Sequence, residues 1–348
     1  MRNAGLWLVI VSLMAGSALN PPRRPGLEES GPHTRRFELR SGPRSGLFHF
    51  LIDWALADAE EWPPFAPPIV EREAWRSGLS GTEARLWGAA TQAFGTARDR
   101  SLLFDNGLLA VRDWAAGAEE REAIPDSDQY LASALEAALP VYERHWWPAH
   151  DARNRSWIEA VEGTLAEIEE TMIPRFERAY GGRWPDAPIP VDVVVYANSV
   201  GAYSSGGRIT IASGERDSQM PQALELIFHE ASHLDPLEAP LRMGLKRAFD
   251  AVGTEVAARL WHDMIFYTAG EITRITLEGR GESGYRHYGE LGVYTRGERW
   301  AIELPAFERR WRPFLRSEST DAGARAAALE AFAREISAGT SPEAEDPR

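Results

Sequence analysis

Apolar residues recur at three- and four-residue spacing through most of the first half of this chain, and near residue 181 that period breaks. Phe48 to Trp62, Gly81 to Thr96, Ser101 to Ala116, Asp128 to Trp147 and Ser156 to Tyr180 each carry one apolar stripe, the signature of helices that bury one face. Gly181-Gly182 and Pro185, Pro188 and Pro190 then punctuate the chain. Two β-branched runs follow, Val191 to Tyr196 and Gly207 to Ala212, separated by the turn-rich stretch Asn198 to Gly206. The pattern predicts a mainly helical α+β protein with a small mixed sheet behind a helical N-terminal part.

The stretch Ser218 to Leu234 returns to helical spacing, with Leu224, Ile227, Phe228, Ala231 and Leu234 on one face, Ser218 as N-cap and Pro221 in the first turn. Asp235-Pro236 is expected to end it, because the residue before a proline is steered away from helical dihedrals. This helix carries His229-Glu230-Ala231-Ser232-His233. Residues four apart on a helix lie about 6 Å from each other on one face, so both imidazoles can reach a single tetrahedral cation while Glu230 addresses its water. Zinc at such a site brings the pKa of bound water to about 7 and polarises a carbonyl, and a carboxylate must then accept and return a proton. The pattern is a metallopeptidase signature.

A catalytic zinc takes three protein ligands and keeps one position open. Glu255 is the leading third ligand, at the head of a helix-patterned run to Tyr267 and preceded by the break Gly253-Thr254; Asp250 and His262 are its rivals. From about residue 190 to 300 the chain resembles the gluzincins, zinc peptidases whose third ligand is a glutamate on a second helix downstream of the His-Glu-x-x-His helix. The resemblance implies a zincin-like core, one Zn2+ per chain held by His229, His233 and Glu255, and Glu230 as general base. The Gly-Ala-Met-Glu-Asn type of substrate motif found in the aminopeptidases is missing. Gly253-Thr254 is also similar to a ligand motif of the aspzincins, but Ala257 stands where their aspartate would be.

Charge that develops on an oxyanion needs a donor already aimed at it. Tyr285, His287 and Tyr288 cluster in one polar, aromatic stretch, and resemblance to the gluzincins makes Tyr288, then His262, the candidates. The run Gly207 to Ala212 is the expected edge strand, pairing with an extended substrate backbone as such strands do in zinc peptidases.

Composition sets the remaining bounds. With 348 residues, 44% of them hydrophobic, the chain can bury one large core or two smaller ones. A net charge of -14 argues against nucleic acid and anionic membrane surfaces as partners; the basic patch Arg309-Arg310-Trp311-Arg312 is local and reads as a solvated helix end. No cysteine occurs, so disulfides, a lipoprotein anchor and a thiol nucleophile are excluded, and metal ligands must be His, Asp or Glu. Met1 to Ala18 has the basic start, apolar middle and small-residue end of a signal peptide, which predicts export to a periplasm or beyond, with an uncleaved anchor as the alternative. The expected organisation is signal 1–18, linker 19–45, helical region 46–182, catalytic region 183–315, and a closing helix from Asp321 to Ile336 with its tail in 316–348. His145, beside Trp146 and Trp147, reads as aromatic packing. The function expected is hydrolysis of peptide bonds in a peptide or protein substrate; the alternatives are a non-catalytic envelope binding protein on the same fold and a zinc amidase acting on cell-wall material.

Overall fold

The computed structural model describes residues 34–58, 78–197, 201–257, 259–295, 297–319 and 321–339. The signal, most of the expected linker, the prolines Pro63, Pro64, Pro67 and Pro68, and the end of the tail lie outside the described residues. The chain is mainly helical with one four-stranded mixed sheet, as the hydrophobic period predicts. It divides into two compact units, Thr34–Leu165 with Pro185–Leu234, and Ala166–Trp184 with the chain from Asp235 onward. This differs from the expected partition into 46–182 and 183–315. The strands fold with the N-terminal helices, and the chain leaves that unit directly after the second histidine of the motif.

In the first unit the sheet has the order β1 (Phe37–Arg40), β2 (Ile189–Val194), β4 (Arg208–Ala212), β3 (Ala202–Ser205). β1 and β4 both run parallel to β2, with Phe37 opposite Ile189 and Val191 opposite Ile209, while β3 runs antiparallel to β4 with Tyr203 opposite Thr210. A two-residue loop, Gly206-Gly207, closes the β3–β4 hairpin; both residues have positive φ (59° and 77°), the conformation that matches strand twist and that glycine adopts without strain. Every residue of β4 is buried, as in a strand covered on both faces.

Two expectations are corrected here. Residues 37–40 form a strand inside the expected linker, because Phe37 and Leu39 find their partners at Ile189 and Val191, out of reach of any local reading. Gly207 to Ala212 is not an edge strand: β4 sits between β2 and β3, and the edge on that side is β3, whose Ala-Tyr-Ser-Ser sequence lies in the stretch expected to be turn.

The helices of this unit are α1 (Pro43–Asp58), α2 (Gly81–Gly95), α3 (Asn106–Ala115), α4 (Gln129–His145), the start of α5 (Trp147–Tyr180) and α6 (Gln222–Ala231). Their starts follow from local chemistry. Ser80 and Glu83 form a reciprocal capping box on α2, and the Asp105 carboxylate accepts from the Leu108 amide on α3. The apolar stripes of α1 to α4 meet in one core around Phe48, Phe50, Trp87, Phe94 and Leu135, joined by Tyr196 and Tyr203 from the sheet side. Trp146 stacks on Trp87 with ring centroids 4.4 Å apart, and His145 packs beside Trp146 and accepts no role beyond a contact with Glu83.

The second unit holds the end of α5, then α7 (Asp235–Ala251), α8 (Leu260–Gly279), short turns at Tyr288–Leu291 and Val293–Thr295, α9 (Arg299–Ala306), a π-helical turn at Phe307–Trp311, α10 (Arg312–Arg316) and α11 (Ala322–Gly339). Phe307 stacks between Tyr267 at 4.9 Å and Phe332 at 4.7 Å, and fixes α8 and α11 to one centre. The basic patch is not a merely solvated end: Arg310 pairs with Glu335 at 2.6 Å, Arg309 shares that carboxylate, and Arg312 reaches Glu308 and the fully buried Glu271. Among the described residues no helix is long and apolar enough to cross a membrane.

Candidate metal centre

Helix α6 is shorter than its apolar pattern predicts. Ser218 is not the N-cap; it ends a 3-10 turn, Arg216–Ser218, where its carbonyl accepts from the Trp157 indole at 2.7 Å, and the helix starts only after Pro221. The helix also ends earlier, at Ala231. The His233 amide bonds to the Glu230 carbonyl at 3.2 Å and the Leu234 amide to the Ala231 carbonyl at 3.2 Å, so the last turn tightens to three-residue bonds. Asp235-Pro236 does not simply stop a helix; it opens α7, where a proline in the first turn gives up an amide that has no helical partner in any case.

Every residue of α6 from Ala223 to Ala231 is buried. Phe228 packs edge-on against Phe37 of β1 at 5.3 Å, and the helix lies against β3 and β4. That burial fixes the motif. His229 and His233 meet edge to face, with centroids 5.0 Å apart and their Nε2 atoms at 3.3 Å. Two ligands at about 2.05 Å from a tetrahedral zinc are separated by about 3.3 Å, so the pair already has the bite such an ion requires. The Glu230 carboxylate lies 3.9 Å from His229 Nε2.

Burial pushes the Glu230 carboxyl upward; the neighbouring His233 and the Ser204 hydroxyl act in the opposite direction. Ser204 belongs to β3, and its hydroxyl faces the carboxyl without closing a hydrogen bond of ordinary geometry. A cation beside the two imidazoles would favour the ionised carboxylate further. Ser204 was not legible as a site residue, since its stretch carries only turn-forming composition.

The remaining candidates are on the second unit. Glu255 is exposed and not helical, because α8 begins at Leu260, five residues later than the run from Glu255 predicts. Asp250 is exposed on α7 and paired with Lys246 at 2.6 Å, one turn away. His262 is half-buried in the first turn of α8, between the rings of Trp261 and Phe266. Tyr288 is half-buried and packs on the same Phe266 at 5.9 Å, so this unit brings His262 and Tyr288 to one aromatic side chain. His287 is set apart from them: fully buried, it lies 3.3 Å from the Glu271 carboxylate and 3.3 Å from the Tyr294 hydroxyl. Tyr285 is buried beside it.

No family model, no curated protein and no solved structure matches this chain.

Proposed function

We propose that the protein is a zinc-dependent metallopeptidase. The observation that carries this reading is the 3.3 Å separation of two buried imidazole Nε2 atoms with a buried carboxylate beside them. A chain has little reason to bury two histidines and a glutamate on one helix without a cation to compensate them.

For the third ligand we favour His262 over Glu255. His262 is half-buried in the first turn of α8, whereas Glu255 is exposed and precedes the helix. Three neutral imidazoles leave the full double charge of the ion uncompensated, whereas a glutamate ligand would cancel half of it. When bound, zinc supplies Lewis acidity toward a carbonyl and toward water. Glu230 takes the water proton at its carboxylate and returns it to the departing amine nitrogen. Tyr288 is the donor toward the developing oxyanion. The edge strand β3, rather than β4, offers backbone groups to an extended peptide. The apolar middle and small-residue end of Met1 to Ala18 support an exported enzyme, with that segment as its signal.

Elemental analysis of the purified chain and of His233→Ala, His262→Ala and Glu255→Ala variants tests the ligand set, together with cleavage of a mixed peptide pool monitored by mass spectrometry. One zinc per chain, lost with His233 and His262 and kept without Glu255, is the expected result. Zinc that survives His262→Ala and is lost in Glu255→Ala returns the third ligand to Glu255. Absence of zinc in the unsubstituted protein after supplementation overturns the reading.

A further inference from the structure

Edge strands are the least restrained part of a sheet, since one side of their backbone has no partner. In β3 the Gly201 carbonyl accepts from the Ala212 amide at 2.8 Å, and Tyr203 stands opposite Thr210, so Gly201, Tyr203 and Ser205 turn their backbone groups toward β4. The intervening residues, Ala202 and Ser204, turn theirs to the outer edge. Side chains alternate in the other sense: Ser204 faces Glu230, and Tyr203 enters the helical core.

Beneath β3 lies a buried polar assembly that the proposed chemistry does not use. Arg112 of α3 is 1% exposed. Its Nη2 donates to the Ser205 carbonyl at 3.1 Å, its Nε donates to Asp113 at 2.9 Å, and its guanidinium lies 5.8 Å from the centre of the Tyr203 ring. Its Nη1 is buried and makes no hydrogen bond. The Tyr203 hydroxyl is 2.8 Å from His49 Nε2, and His49 Nδ1 is 2.8 Å from the Ser45 carbonyl. A carbonyl can only accept, so Nδ1 carries the proton, Nε2 accepts, and the tyrosine donates.

A buried, incompletely satisfied arginine is an expensive way to fill space, and an apolar side chain of its length would serve stability better. What a methionine lacks is the reach to Ser205. We infer that Arg112, with the Tyr203–His49 pair, is a positioning device for the edge strand. Two ties, one on the Tyr203 side chain and one on the Ser205 carbonyl, bracket Ser204 and hold its hydroxyl against Glu230 and its backbone toward an incoming extended peptide. This inference rests on the metallopeptidase reading for its substrate side, and on geometry alone for the anchoring.

The test uses Tyr203→Phe and Arg112→Met in the full chain. Three readouts are needed: amide hydrogen exchange over residues 201–212 by mass spectrometry, zinc content, and steady-state kinetics on peptides from the cleaved pool. Exchange across 201–206 is expected to accelerate about tenfold in Tyr203→Phe, the loss of one buried hydrogen bond, with zinc content unchanged. KM should rise about tenfold for extended peptides with kcat within about twofold. Unchanged exchange in β3 overturns the inference, as does faster exchange with unaltered KM, or loss of zinc together with kcat. If Arg112→Met fails to fold, the near-isosteric Tyr203→Phe decides. A wild-type chain with neither zinc nor peptide cleavage sinks the functional reading and the substrate role with it, while exchange in β3 still reports the anchoring.

Discussion

His229 Nε2 and His233 Nε2 stand 3.3 Å apart even though the second histidine lies outside the regular helix. The tightened last turn of α6 carries His233 back over His229, and the burial of Phe228 and Ala231 leaves the turn no freedom to open. A metal that binds only the folded chain stabilises it by about 2.7 kcal/mol at a hundredfold excess over the dissociation constant. Zinc should therefore raise the thermal midpoint by several degrees, and a chelator should reverse the shift. In His229→Ala the midpoint should not respond to zinc at all; a persistent response there would place the ion elsewhere.

Glu230→Gln separates binding from chemistry. The amide keeps the size and the neutral form of a buried acid, so zinc content and folding should be retained. It cannot accept a proton, and peptide cleavage should fall by about two to four orders of magnitude. Activity within tenfold of wild type would remove Glu230 as the base.

His262 and Tyr288 share Phe266 as a packing partner, yet the proposed roles give them opposite phenotypes. His262→Ala should lose zinc. Tyr288→Phe should keep it, hold KM nearly constant, and lower kcat by about a hundred- to a thousandfold, the range for removing one oxyanion donor. If both variants keep zinc and both lose kcat, His262 is a donor rather than a ligand.

How much of this could be read from the sequence follows from the range of each cause. The motif is local chemistry, and His229, Glu230 and His233 come together as their spacing predicts. Capping at Ser80 and Asp105 is local as well: α2 starts at Gly81 as expected, while the Asp105 cap delays α3 from Ser101 to Asn106. β1 depends on Ile189, far along the chain, and β3 on Thr210 opposite an unremarkable Tyr203, so neither strand was legible, and β4 was taken for an edge. The helix start expected at Glu255 failed for a different reason. Gly253-Thr254 has the look of a helix start, but α8 begins with no side-chain cap at Arg259, held by the buried packing of Leu260 and Trp261 instead. Asp235-Pro236 carries the same signal for the end of one helix and the beginning of the next, and the sequence does not say which.

Gly270→Ala probes the second unit without touching any proposed ligand. A β-carbon at this position of α8 would stand 2.6 Å from His287 Cγ, and His287 is held in place by Glu271 and Tyr294. To swing away the imidazole must leave both the Tyr294 hydroxyl and the buried Glu271 carboxylate, which Arg316 also binds at 2.6 Å. Overpacking of this kind costs about 1–3 kcal/mol. The urea midpoint should fall accordingly, and an unchanged midpoint would show that His287 is freer than its contacts imply.

Stability should depend on acid through two histidines remote from the motif. Burial holds both His49 and His150 down to about 4 from an ordinary 6.5; His49 also faces Arg112 and Arg208, and His150 faces Arg153. Below pH 6.5 the unfolded chain takes up a proton at each that the folded chain refuses until about pH 4. Their contribution is thus complete above pH 6.5 and is lost as pH falls through that window, on the order of 3 kcal/mol for each group. His150 accepts or donates one hydrogen bond with Tyr142 at 2.9 Å, so His150→Gln can keep a polar partner there while removing the titration. Urea midpoints measured from pH 7.5 to 4.5 should decline steeply in the wild type and less steeply in the variant. Equal slopes would mean that His150 is solvated well enough to titrate normally in the folded protein, and the acid sensitivity would then belong to His49 alone.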